Sequence, residues 1–350
     1  MRYASINKIE QGEKLGKHIF ADDGRILLSE GVTLTIGLLS KLRLMGVSSV
    51  FVQDDRFENI EIEEVVSETT KRQAITALAE TIQFIQADKE INGKEISLIV
   101  GKMIDEVMLN SDVLLHLTDI RTKDNNLFVH LVNVCIISVM VGVQIGLAKT
   151  RIQDLAVGAL LHDIGKTQGR VKKRDIPVGY SSEDELMKHH SWKGFNTLRK
   201  VQEISTVSAH IALTHHENVD GSGEPRGMEG KDINFLSKIV AVANDYDHLI
   251  SNGEDGMSLF PHEACERIMG LTNIRYDHQV VWKFLRCVAF YPTGIQVKLN
   301  DGSIGVVIGQ HKGLPQRPIV RTYRSDGDDF SFKEVDLAKE TTTFITKVFT

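Results

Sequence analysis

Two short stretches of this 350-residue chain set metal-ligating side chains next to one another. His162 and Asp163 stand together in ALLHDIGK, and His215 and His216 close the run ISTVSAHIALTHHE. His130, His190 and Asp245 lie on further helical patterns. Imidazole nitrogen suits Fe, Mn, Zn or Ni, while a carboxylate suits harder ions and can bridge two of them. These seven groups are too many for one tetrahedral zinc. With Asp163 counted twice as a bridge they offer eight metal–protein bonds, enough for two ions with positions left for water and substrate. Two ions roughly 3.5–4 Å apart clamp the attacking and leaving oxygens of an in-line displacement at phosphorus. A water activated there is the nucleophile, so no serine or cysteine is required.

Such a centre needs helices whose ends and faces converge on one pocket. The pattern supplies them from about residue 69 to 286. Ile75, Leu78, Ile82 and Ile85 recur at helical spacing, and Ile96, Ile99, Val100, Met103 and Val107 repeat it after Asn92-Gly93. Leu131 to Ala148 runs 18 residues without a charge, at the lower edge of spanning length. It carries Asn133, Ser138 and Gln144 and is interrupted by glycine, which predicts a helix buried on all sides rather than a membrane span. Gly165 is placed to end the helix before His162-Asp163.

The flanks read differently. Residues 1–54 form a small mixed unit: HIFADDGRILLSEG suits two short strands, TIGLLSKLRLMGV a helix closed by Gly46, and SSVFVQD a returning strand. Residues 55–68 are acidic and read as a linker, and 69–110 as connecting helices. After Tyr291-Pro292 the signal turns to strands: QVKL and SIGVVIG flank Asn300-Asp301-Gly302, and IVRTY and FSFKEVDL flank Ser325-Asp326-Gly327. The fold class is therefore mainly α, with a small N-terminal α/β unit and a small C-terminal β unit at 291–350.

Composition narrows the function. Hydrophobic residues make up 42% and charged residues 25%, a globular balance. Lys+Arg 41 against Asp+Glu 47 gives a net charge of −6, which argues against a polymer nucleic acid as partner. Three scattered cysteines, Cys135, Cys265 and Cys287, provide neither a disulfide framework nor a CxxC zinc site. The opening MRYASINKIEQGEKLGKHIF has no apolar run of a signal peptide, which predicts a cytoplasmic location. Apolar helical faces ahead of residue 110 suit a homodimer.

HDIGK at 162–166, HHENVDGSGEP at 215–225 and NDYD at 244–247 together resemble the HD-GYP branch of the HD phosphohydrolase superfamily. The resemblance runs from about 110 to 290, within a domain taken as 111–290, and implies an HD-type helical bundle core. It implies a metal-dependent phosphodiesterase that opens cyclic di-GMP to the linear dinucleotide pGpG or GMP with two divalent ions, iron or manganese. The family's ligands map onto His130, His162, Asp163, His190, His215, His216 and Asp245, with Lys166 on the scissile phosphate. The spacing to Gly194 selects His190 over its neighbour His189.

Three departures stand out. Gly223-Glu224-Pro225 replaces the GYP triplet. The run from Asp247 to Gly256 lacks the family's basic substrate contacts, each worth roughly 1.5–3 kcal/mol as charge-assisted bonds. Asn126 stands where members with a third ion carry glutamate, which favours two ions. Basic residues at Lys166, Arg170, Lys172, Lys173 and Arg174 are placed to supply the missing phosphate contacts. The alternatives are a catalytically weak nucleotide receptor or interaction module, and a phosphohydrolase for a different cyclic dinucleotide.

Overall fold

A computed structural model of the chain describes residues 1–54, 62–116, 119–167, 189–251, 258–326 and 329–349. In the N-terminal unit, β1 (Arg2–Ser5) pairs antiparallel with β4 (Ser49–Val52), and β2 (Ile19–Phe20) with β3 (Ile26–Leu28). Between the pairs, α1 (Ile36–Leu44) is capped by Thr35, whose hydroxyl accepts from the Leu38 amide, and ends before Gly46 at φ +86°. Ala4, Leu39, Leu42, Val50 and Val52 share a small separate core. Strand β1 gave no sequence signal, because four residues with Tyr3 and Ala4 side by side show no alternation.

The helical centre comprises α2 (Glu68–Gln86), α3 (Gly93–Leu109), α4 (Asn126–Ile145), α5 (Lys149–Leu161), α6 (His190–Leu198), α7 (Thr206–Thr214), α8 (Phe235–Ser251), α9 (Pro261–Gly270) and α10 (His278–Phe284). Helix α4 is its axis, packed by α2, α3, α5, α8 and α10. It is long and apolar enough to cross a membrane, yet 78% of its apolar stretch is buried inside the fold. Burial on all sides is what an uncharged helix at the middle of a bundle requires. Gly146 at φ +85° closes it in the left-handed conformation. Asn125 and Thr122 bracket its start: Asn125 Oδ1 accepts from the Thr122 amide at 2.8 Å, and Thr122 Oγ1 from the Asn125 amide at 3.2 Å. This fixes the turn from which His130 projects.

The described part of the expected linker is not a solvated tether. Val65 and Val66 are buried in the helical core, and Glu64 is ion-paired with Lys17 and Lys71. Burial raises the Glu64 carboxyl, but the two ammonium groups outweigh it and hold it at about 2. The N-terminal unit is thus clamped to the helices. Asn125 Nδ2 donates to the Phe20 carbonyl at 2.8 Å, and the Lys123 backbone amide to that of Met45 at 2.9 Å.

At the C-terminus, β5 (Gln296–Leu299), β6 (Ile304–Gly309), β7 (Ile319–Asp326), β8 (Asp329–Asp336) and β9 (Ile345–Phe349) form an antiparallel sheet in the order β8-β7-β6-β5-β9. Gly302 at φ +87° makes the first hairpin turn. Val297, Leu299, Val307, Val320 and Val335 form its inner face, the alternation expected of a one-sided sheet.

Candidate metal centre

Helices α5 and α7 end with the same device. His162 is the residue after α5 and His215 the residue after α7. In each case the ring turns back on its own helix, Nδ1 lying 2.8 Å from the Ala159 carbonyl and 3.0 Å from the Ala212 carbonyl. A carbonyl only accepts, so Nδ1 carries the hydrogen, and a C-terminal orphan acceptor of each helix is satisfied. Nε2 of both rings is left as a bare lone pair. His130 reaches the same state through a carboxylate: its Nδ1 lies 2.7 Å from Asp247 Oδ2. Asp247 is fully buried and is held by Arg121 and by Asn133 Nδ2 at 3.2 Å.

These lone pairs converge on Asp163, itself fully buried. Its Oδ1 lies 3.0 Å from His190 Nε2 and 3.5 Å from His215 Nε2. Its Oδ2 lies 3.7 Å from His130 Nε2 and 3.6 Å from His162 Nε2, and Lys166 bonds to the same oxygen. His216 Nε2 joins the first set at 3.1 Å from His190 Nε2. One carboxylate therefore faces two sets of imidazoles, one per oxygen. The close approach depends on Gly165, where a Cβ would fall 2.0 Å from the His190 carbonyl oxygen. A side chain there would push α6, and His190 with it, away from Asp163.

The electrostatics suit cations. Burial drives His162 well below the ordinary histidine value, and His215 and His216 below it as well, so the rings are neutral. Burial alone would raise Asp163, yet its carboxyl is held well below the usual range and stays ionised beside the Lys166 ammonium. Neutral imidazole and ionised carboxylate are the ligating forms. His130 Nε2 is buried with no hydrogen-bond partner, and Asp163 Oδ1 has none of acceptable geometry. Asn244, fully buried on α8, adds a further acceptor: its amide nitrogen donates to Asp245 at 3.1 Å, which turns Oδ1 to within 3.2 Å of His162 Nε2. Two acceptors facing one another leave a place for a positive ion. Ligand atoms of Asp163, His190, His215 and His216 all lie within 4.8 Å of each other, and so do those of His130, Asp163 and His248. The donor set fits divalent metal.

Residues 117–280 match the family model of the HD domain, and residues 296–350 that of the KOW domain associated with the HD domain. Residues 117–280 are an HD-type domain. It is 30% identical over 237 residues to the cyclic di-GMP phosphodiesterase PA4108 of Pseudomonas aeruginosa, covering 67% of this chain and 57% of that protein. It is 36% identical over 146 residues to a cyclic di-GMP phosphodiesterase of Thermotoga maritima, covering 41% and 39%. A 3'3'-cGAMP-specific phosphodiesterase of Vibrio cholerae is 32% identical over 106 residues, covering 30% and 20%. The chain thus spans little more than half the length of the first of these relatives, and less of the others. Among solved structures, an HDG"Y"P protein from Bdellovibrio bacteriovorus superposes with a TM-score of 0.48 at 19% identity, over 81% of this chain and 97% of that one.

In this HD domain, six of the seven expected ligands meet. The exception is Asp245, whose carboxylate takes the Arg275 guanidinium at 2.8 Å and the Tyr276 hydroxyl at 2.7 Å. The reason is helical phase. Asn244, Asp247 and His248 stand at i, i+3 and i+4 on one face of α8, and Asp245 lies about 100° around from Asn244. His189 turns to Glu224 at 2.9 Å, while its neighbour His190 faces Asp163. Sequence reasoning missed Asn244, Asp247 and His248, and the i, i+3, i+4 rule applied to NDYDH would have found them. It also missed Glu217, buried, which accepts the Arg226 and Met228 amides at 2.8 Å each and so holds the Gly223-Glu224-Pro225 loop. Arg170, Lys172, Lys173 and Arg174 lie outside the described residues.

Proposed function

We propose that this HD domain hydrolyses a phosphodiester of a cyclic dinucleotide, cyclic di-GMP first, giving pGpG or GMP. The observation that carries the reading is the position of Asp163, with one oxygen toward His190, His215 and His216 and the other toward His130 and His162. Two divalent ions, iron or manganese, held by these residues supply Lewis-acid polarisation of the phosphoryl group and lower the pKa of water. Asp163 would serve both sets of imidazoles, one carboxylate oxygen facing each. Lys166, which bonds Asp163 Oδ2, carries an ammonium that would meet the charge developing on the equatorial phosphoryl oxygens. His130, His162 and His215 are held in one tautomer by Asp247, Ala159 and Ala212, so little reorganisation is needed.

A cleft of about 510 Å³ lies where the N-terminal unit meets the helices, lined among others by Arg121, Lys123, Asn126 and Ser251. Its volume is in the range of small-molecule sites. Lys123 is the cation there able to meet a second phosphate, since Arg121 is committed to Asp247. The relatives specific for 3'3'-cGAMP favour that dinucleotide as the second substrate to try. A helix-mediated dimer belongs to the same reading, on the exposed Leu98 and Leu109 of α3. The test is chromatography of cyclic di-GMP and 3'3'-cGAMP after incubation with protein loaded anaerobically with Fe(II) or Mn(II). Linear product from wild type and none from Asp163→Ala is the expected result. No product from either substrate with two ions bound would replace the enzyme by a receptor.

A further inference from the structure

The seven-residue ligand set takes its α8 ligand to be Asp245, and the structure turns that residue away. We infer that His248 ligates the ion on the Oδ2 side of Asp163, with the Asn244 amide oxygen beside it. The assignment rests on the two-ion reading above. Asn244 and His248 are four residues apart, so α8 presents both on one face. A ring nitrogen of His248 lies within 4.8 Å of the ligand atoms of His130 and Asp163. Its ring stacks on that of His130 at 4.3 Å between centroids and 26° between planes, so the two imidazoles border one space. Asn244 meets the same set through His162, its Oδ1 held toward the bare Nε2 of that ring by Asp245.

The consequence is chemical. On this side a metal meets His130, His162 and His248, a neutral amide oxygen and a share of one carboxylate, whereas an aspartate at 244 would have added a second negative charge. A donor set richer in imidazole and poorer in carboxylate favours later first-row ions over manganese. The Oδ2-side position should therefore hold Fe(II) or Co(II) well and Mn(II) poorly.

Equilibrium dialysis of the full chain against Co(II) or Mn(II), followed by metal analysis, tests this without reference to turnover. Wild type should retain two Co(II), and His248→Ala one, with the second equivalent weakened at least about tenfold. His248→Asp should restore two and narrow the gap between Co(II) and Mn(II), because a carboxylate also ligates. Asp245→Asn should keep two. Circular dichroism checks the fold, and His248→Gln, closer in volume, stands in if the alanine variant does not fold. Two Co(II) held by His248→Ala at unchanged affinity, or one lost from Asp245→Asn, overturns the assignment while the two-ion reading stands. Fewer than two Co(II) in wild type overturns both.

Discussion

The two sides of Asp163 are built in different ways. On the Oδ1 side, His190 opens α6, and His215 and His216 close α7, all carried on helix ends. His190 and His216 are partly exposed, next to the Gly223-Glu224-Pro225 loop that meets the His216 carbonyl through the Glu224 amide at 3.1 Å. On the Oδ2 side, His162 likewise follows a helix end, but His130 lies in the second turn of α4 and Asn244 and His248 within α8, and the orientation of His130 runs through the buried pair Asp247–Arg121. Orientation on the first side is local and open to the surface. On the second it depends on charges taken out of water, and it reaches the start of α4, where the N-terminal unit docks. The Oδ1 side is suited to admitting substrate, and the Oδ2 side to anchoring an ion.

The sharpest way to break this comparison is Asp247→Ala. It removes the acceptor that sets the His130 tautomer and leaves the Arg121 guanidinium without its buried partner. Removing one partner of a buried pair costs about 3–5 kcal/mol, and the loss of an outer-shell acceptor weakens metal binding by roughly 10–100-fold. Denaturant titration should show the first effect. Metal analysis should show one ion loosened and the other, on the Oδ1 side, retained. Equal loss of both ions would mean that the two sides are one unit.

Gly165→Ala perturbs the opposite side. A Cβ at Gly165 would meet the His190 carbonyl oxygen at 2.0 Å and the Gly194 amide nitrogen at 2.7 Å, both backbone atoms with no side chain to swing aside. Overpacking of this kind costs about 1–3 kcal/mol, and α6 must move as a body. The expected outcome is weaker binding of the Oδ1-side ion with the Oδ2-side ion kept, the reverse of Asp247→Ala. Loss of the Oδ2-side ion instead would show that His190 matters to both.

The two sides also differ in how far the sequence revealed them. HHE gives the Oδ1 side two contiguous ligands, and HDIGK gives Asp163 with the Oδ2-side His162, because a residue pair at a helix end exposes its chemistry to a linear reading. The Oδ2 side joins residues 117 apart, His130 and Asp247, and nothing in the string marks their meeting. Matching NDYD as a motif led to Asp245, whereas helical phase selects its neighbours Asn244, Asp247 and His248. Elsewhere, buried helices and the turn between β5 and β6 were legible from apolar spacing and from glycine. Strand β1 was not, and the acidic look of residues 62–68 hid that Val65 and Val66 face the helical core. Charge near a linker says little when partners such as Lys17 and Lys71 come from other elements.

Acid should separate the centre from the rest of the molecule. Burial holds His248 and His116 at about 4, the latter at the junction with the C-terminal sheet, its Nδ1 accepting the Thr293 amide at 3.3 Å. A histidine with a lowered native pKa takes up its proton more readily in the unfolded chain. Stability is therefore full above about 6.5 and declines as pH falls toward 4. The thermal midpoint of metal-free protein should follow that course. With ions bound to the centre the decline should become steeper, because the ligating histidines then stay unprotonated in the folded state while the unfolded chain still takes up their protons; His116→Asn would remove the share of His116 in both cases. An equal slope with and without metal would place the acid-sensitive groups outside the centre.

The smallest effect is expected at Glu224, where the Oδ1 side reaches solvent. Its carboxylate is paired with His189, but it is 75% exposed, and such pairs are worth only about 0.2–1 kcal/mol. The loop is held elsewhere, by Glu217 taking the Arg226 and Met228 amides and by Gly223, where a Cβ would fall 2.2 Å from the Asn218 amide nitrogen. Glu224→Ala should therefore leave metal content and turnover unchanged and shift the thermal midpoint by no more than a few degrees. Glu217→Ala should weaken the Oδ1-side ion, because the residue after His216 would lose its hold on the loop. If Glu224→Ala loosened that ion as much as Glu217→Ala does, the surface contact with His189 would itself be orienting His190, and the open side of the centre would be less local than its geometry indicates.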